Sequence, residues 1–219
     1  MRSQMPLINP MRTLLFILST FLLTGITYAG NREQAETLYE QAQNKLFDNE
    51  DSVDKETVFS AIELYKKAII ADSSFAPAYE QLAIEYWSLG ETQAAYKTLQ
   101  IGISSVSDDT AMFILLRGIF EEDQGNIELA NQSYKKSIEL FDTVVKEKKS
   151  FDTIFFRALA YYLTQDVDVA IEKYKEAVNL GYFSDGDFEV YYDMQLELLE
   201  NIDLTEYLEQ SITNKYHFK

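Results

Sequence analysis

One short pattern occurs four times in this chain, and its return limits the fold more than any other feature. Ala61-Ile62-Glu63-Leu64-Tyr65-Lys66-Lys67-Ala68-Ile69 reads small, three residues, large, two residues, small, then β-branched aliphatic. Ala95 to Ile103 repeats it with Leu99 and Gly102, Ala130 to Ile138 with Tyr134 and Ser137, and Ala170 to Val178 with Tyr174 and Ala177. Residues four, seven and eight positions apart share one face of an α-helix. Small and large residues alternating on that face let a neighbouring helix approach and interlock. The copies stand 34, 35 and 40 residues apart, a regularity that unrelated amphipathic helices do not produce. Only three prolines and eight glycines occur in 219 residues, so helices are seldom interrupted.

A partner helix precedes each copy. It is clearest in the second, where Tyr79, Leu82, Ala83 and Tyr86 lead to Gly90 and then to Ala95 and Leu99. The third offers Ile114, Gly118, Gly125, Ala130 and Tyr134, and the fourth Ile154, Ala158, Tyr161, Ala170 and Tyr174. This arrangement resembles the tetratricopeptide repeat, in which an aromatic, Leu-Gly and Tyr on one helix are followed by Ala-x3-Phe on the next. The resemblance covers about residues 31–182. It implies an all-α fold: a right-handed superhelical solenoid of about four helical hairpins with a concave groove, the hairpins spanning 31–72, 75–108, 110–148 and 151–182.

The chain departs from that pattern in places. Ser73, Ser107, Asp142 and Tyr182 stand where the repeat has proline, Arg117 and Arg157 stand at its Leu position, and Glu121 replaces a Tyr. The third repeat's first helix is therefore expected to shift or to pair its arginine with an acid. The first repeat carries an insertion at Asp48 to Asp54, and the long spacing before the fourth implies an extended helix or loop around Val144 to Ser150. After Gly181 the pattern stops. Residues 183–219 hold two amphipathic stretches, Phe188 to Asn201 and Leu204 to Asn214, read as helices that cap the solenoid's open end. The alternative is that the last of them occupies the groove or serves a partner.

Residues 1–29 read as a secretory signal. Arg12 precedes an apolar run, Leu14 to Ile26, and Thr27-Tyr28-Ala29 supplies small residues at the −3 and −1 positions. A helix of that run rises about 20 Å, short of the ~30 Å hydrocarbon core, so cleavage after Ala29 is expected in preference to an uncleaved anchor. Export to a periplasm or secretion follows, with no membrane insertion of the mature chain. The net charge of −17 argues against nucleic acid, which needs a basic face, and against an anionic membrane surface. It provides solubility and favours a basic partner. With no cysteine, the chain has no disulfide, thiolate metal site or cysteine nucleophile.

The residues for catalysis are missing as well. His217 is the one histidine and sits in the C-terminal tail, which argues against a histidine acid–base pair or triad. There is no Gly-rich phosphate loop and no His-Glu-x-x-His. Asp48, Glu50, Ser52 and Asp54 alternate like half of a calcium loop, but Val53 stands where the turn glycine belongs and Phe59 where the closing Glu belongs. No enzymatic activity, cofactor or metal is expected.

In the resembled family the first helix of each hairpin lines the groove. Transferred to this chain, those positions are Tyr39 and Phe47, then Glu80, Ile84 and Trp87, then Met112, Leu115, Ile119 and Glu122, then Asp152, Phe155, Leu159 and Tyr162. The set is apolar and aromatic with three acids and no base. It suits an extended or helical polypeptide with large apolar side chains and basic groups, not a C-terminal carboxylate. Trp87 is the foremost anchor, because a desolvated Trp concentrates binding energy. The role implied is an exported adaptor or scaffold, with a chaperone that shields apolar client segments as the alternative.

Overall fold

A computed structural model describes residues 32–47, 53–106, 110–147, 150–179 and 188–201. Among them are nine α-helices and no strand: α1 (Arg32–Phe47), α2 (Lys55–Ala71), α3 (Ala76–Ser88), α4 (Thr92–Ser105), α5 (Thr110–Asp123), α6 (Ile127–Glu147), α7 (Phe151–Thr164), α8 (Val167–Asn179) and α9 (Phe188–Asn201). The all-helical expectation holds for these residues. The expected signal at 1–29, most of the acidic loop and the stretch Leu204 to Asn214 lie outside the described residues. None of the described helices is long and apolar enough to cross a membrane.

Substantial packing joins each helix only to its next or next-but-one neighbour in the chain. The repeated pattern explains the pairs. Ala61, Ala95, Ala130 and Ala170 are each at most 1 % exposed, as are the large residues four positions on, Tyr65, Leu99, Tyr134 and Tyr174. The small residues seven positions on, Ala68, Gly102, Ser137 and Ala177, are buried too. A Cβ on Gly102 would lie 2.7 Å from the Phe113 ring of α5, so the small position is where the next helix closes in. A Cβ on Gly118 of α5 would lie 2.5 Å from the Tyr134 ring of α6. Small faces large both within a hairpin and between hairpins.

The turns follow from local chemistry. Gly90 and Gly125 both adopt φ of 75°, a left-handed conformation that costs glycine nothing. After α3 the Gly90 N–H donates to the Trp87 carbonyl and the Glu91 N–H to the Tyr86 carbonyl; Gly125 and Asn126 do the same to Glu122 and Glu121. These Schellman bonds satisfy the last carbonyls and reverse the chain. Asp54 caps α2 by accepting from the Thr57 N–H at 2.7 Å, and Ser150 caps α7 through Thr153. The long spacing before the fourth copy is taken up by α6, which runs for 21 residues.

The arginines at the Leu positions are accommodated in the same way. Leu82, at that position in the second hairpin, is 5 % exposed. Arg117 instead reaches α6, where its Nε donates to Ser133 Oγ at 3.2 Å, and Ser133 donates to Glu121 at 2.5 Å. Arg157 reaches α8, donating to the Lys173 carbonyl at 3.2 Å while it pairs with Asp142 at 2.5 Å. In both hairpins the guanidinium crosses to the position three residues after the repeat alanine, and Arg117 also lies 3.6 Å from Glu121, so the third hairpin pairs its arginine with an acid.

At the two ends of the described helices, polar ties hold the first and last of them. α9 packs on α8 and α7, with Leu199 fully buried and the Tyr174 hydroxyl donating to Gln195 Oε1 at 2.8 Å. At the other end Arg32 of α1 pairs with Asp72 at 2.7 Å in the turn that leads to α3. Desolvation alone would raise the Asp72 carboxyl; the Ser74 hydroxyl and amide donors, with Arg32, outweigh it and hold the group below its ordinary value. A carboxyl depressed in the folded state contributes stability above its unfolded pKa of about 3.9 and loses it as pH falls through the lower folded value. Asp72→Asn is therefore expected to lower stability by about 1 kcal/mol at neutral pH, a modest value because the site is partly solvated. Urea midpoints should show that gap closing at pH 3, and an equal gap at both pH values would refute the coupling.

Candidate functional site

The thirteen transferred positions lie on α1, α3, α5 and α7, and none is exposed. Seven are buried: Tyr39 (5 %), Glu80 (3 %), Trp87 (6 %), Met112 (6 %), Leu115 (0 %), Phe155 (0 %) and Leu159 (3 %). Phe47, Ile84, Ile119, Glu122, Asp152 and Tyr162 are half-buried. Trp87, Met112, Leu115, Phe155 and Leu159 share one core cluster, with Ile84, Ile119 and Tyr162 packed against its edge. Tyr39 belongs to a second cluster, built by α1, α2 and the start of α3.

Trp87 is held on two sides. Its ring stacks on Phe120 of α5 at 4.1 Å and 4°, and Tyr96 of α4 meets it edge-on at 5.8 Å. The indole N–H makes no hydrogen bond of standard geometry. It still favours the neighbouring Asp123 carboxylate, which burial raises and which the Gln124 amide and the indole partly lower again. Phe120 was missed from sequence. It stands 33 residues after Trp87, close to the repeat spacing, and that aromatic recurrence was the available signal.

The acids turn toward core tyrosines. Glu122 Oε2 accepts from the Tyr134 hydroxyl at 2.5 Å. Burial, reinforced by Glu122 and then Glu121, pushes the Tyr134 phenol far above its ordinary value, so it stays a neutral donor. Burial likewise raises Tyr39 with help from Glu80, and Tyr174 with help from Tyr192 and Asp152. Tyr65, the equivalent phenol in the first hairpin, accepts from Gln43 at 2.8 Å. Buried hydroxyls at the large position thus draw polar partners from adjacent helices, as the cost of leaving them unbonded requires.

Among the described residues, no three or more metal-ligating side chains converge. Asp54, the last acid of the loop that resembles half a calcium site, is committed to its helix cap. The half-buried members of the transferred set are apolar or aromatic, Phe47, Ile84, Ile119 and Tyr162, with the acids Glu122 and Asp152. No protein-family model matches the chain, and no curated protein matches it.

Proposed function

We propose that this is an exported tetratricopeptide-type repeat protein that binds a segment of another polypeptide along the face of its first helices. One observation carries the reading. The repeat alanine and the large residue after it are at most 1 % exposed in all four second helices, so the four copies do the same packing work. The resemblance to the tetratricopeptide repeat implies that such hairpins stack into a right-handed superhelix with the first helices along its concave side, and the packing of each helix on near neighbours alone supports that reading. Extended or helical peptides lie along such faces through apolar anchors. The charge of −17 favours a partner with Lys or Arg beside its apolar side chains. Export rests on the basic, apolar and small-residue order of residues 1–29.

A fluorescent amphipathic peptide of leucine and lysine tests this. It is expected to bind with a dissociation constant of about 10 μM, more weakly as salt rises, while a leucine–glutamate counterpart does not bind. Ile84→Ser with Ile119→Ser, both half-buried, should weaken binding about tenfold, roughly 1.4 kcal/mol, while the helical signal is kept. Equal binding by wild type and this variant would show that the cationic peptide is held by net charge alone, and the reading would fail.

A further inference from the structure

α2 carries two of the large apolar side chains that the described surface leaves exposed, Phe59 at 48 % and Ile70 at 82 %. Ile127 and Leu129 are also exposed, at 52 % and 50 %, but residues two apart on a helix point about 200° from each other and form no shared patch. Phe59 and Ile70 are eleven residues apart, three turns plus about 20°, and therefore share one face. Glu63 and Lys66 lie between them on that face, in an ion pair at 2.7 Å. Lys55 partly covers the Phe59 ring, 6.0 Å from its centre. Beside Ile70, α1 and α2 leave a depression of about 330 Å³ lined by Gln34, Leu38, Lys67, Ile70 and Ala71.

This face is its own complement. The point midway between Leu64 and Tyr65 is equally far from Phe59 and Ile70, and equally far from Glu63 and Lys66. A two-fold axis through it lays α2 antiparallel on α2 of another copy. Phe59 then meets Ile70 of the second copy, and Glu63 meets Lys66 of the second copy, each contact formed twice. Such reciprocity is what an isologous interface requires.

We propose that the α2 face pairs two copies of this chain, with Phe59 of each seated in the depression beside Ile70 of the other. Two crossing helices bury less than about 1,200 Å² in total, so the dimer is weak and reversible. Two copies of charge −17 repel, and association strengthens at or above about 0.15 M salt, where the screening length is about 8 Å.

The absence of native cysteine makes the test positional. The full chain is prepared as Phe59→Cys and as Ile70→Cys, both exposed sites, and treated with a short bismaleimide. Antiparallel pairing aligns position 59 with position 70 across the axis but separates the two copies of position 59 by about 16 Å. The mixture should cross-link about tenfold more than either variant alone. Equal yields in all three samples, no product in any, or preferential cross-linking of Phe59→Cys to itself would each overturn the proposal. Sedimentation gives a second readout: Lys66→Glu alone weakens association, and Lys66→Glu with Glu63→Lys restores it. If the doubly reversed chain dimerises no better than the single variant, the register is wrong.

Discussion

Trp87→Ala should destabilise the fold by about 3–5 kcal/mol, a large part of the about 5–15 kcal/mol typical of a whole domain. The indole is 6 % exposed and lies between Phe120 of α5 and Tyr96 of α4. Its removal opens a cavity where α3, α4 and α5 meet, and none of the three can close it without giving up contacts elsewhere, so lost transfer energy and cavity add. Urea unfolding followed by far-ultraviolet circular dichroism measures the cost. Trp87→Phe, which keeps a ring against Phe120, should recover more than half of it. Loss of peptide binding with an unchanged urea midpoint would instead make Trp87 a surface anchor and contradict the stacking. A transferred groove position thus bears first on stability, and for that reason Ile84 and Ile119, at the cluster's edge, are the substitutions that report on binding.

The difference between those residues shows what the sequence made legible. Helix faces were readable wherever spacing alone decides them: Ala61, Tyr65 and Ala68 share a face by geometry, and the structure buries all three. The long gap before Ala170 translated directly into the 21-residue α6. Arg117 at an apolar position left two outcomes open, a shifted helix or an acid partner, and the structure sets Glu121 3.6 Å from it. Which side of a first helix is open was not readable. α3 is apolar or small nearly all round, and ten of its thirteen residues are buried. Periodicity identifies the face of an amphipathic helix, but it is silent for a helix surrounded by neighbours. Glu80, read as groove-facing, marks the limit: it is 3 % exposed and close enough to the buried Tyr39 phenol to raise it. The stacking of Trp87 on Phe120 depends on how neighbouring hairpins are rotated, and no local pattern encodes that rotation.

Gly118→Ala should cost about 2–3 kcal/mol, even though alanine is intrinsically the better helix former by about 1 kcal/mol. The new methyl would stand 2.5 Å and 2.6 Å from two carbons of the Tyr134 ring and 3.2 Å from Ser133 Cβ. Tyr134 cannot swing away cheaply, because its hydroxyl is tied to Glu122 at 2.5 Å and its ring is 1 % exposed. The second hairpin solves the same contact the other way, with Ala83 and Leu99 where the third has Gly118 and Tyr134. Placing that pair in the third hairpin, Gly118→Ala with Tyr134→Leu, should therefore be more stable than the sum of the two single changes by at least about 1 kcal/mol. Glu122 is half-buried, so its carboxylate can turn to water when the phenol is gone. The fourth hairpin has Ala158 and Tyr174 at these two positions, and there the phenol donates to Gln195 on α9. The double-mutant cycle, measured by urea unfolding, decides between the two accounts of the repeat. Additive costs would mean that the Gly118–Tyr134 contact is incidental, whereas positive coupling means that small and large residues are matched hairpin by hairpin.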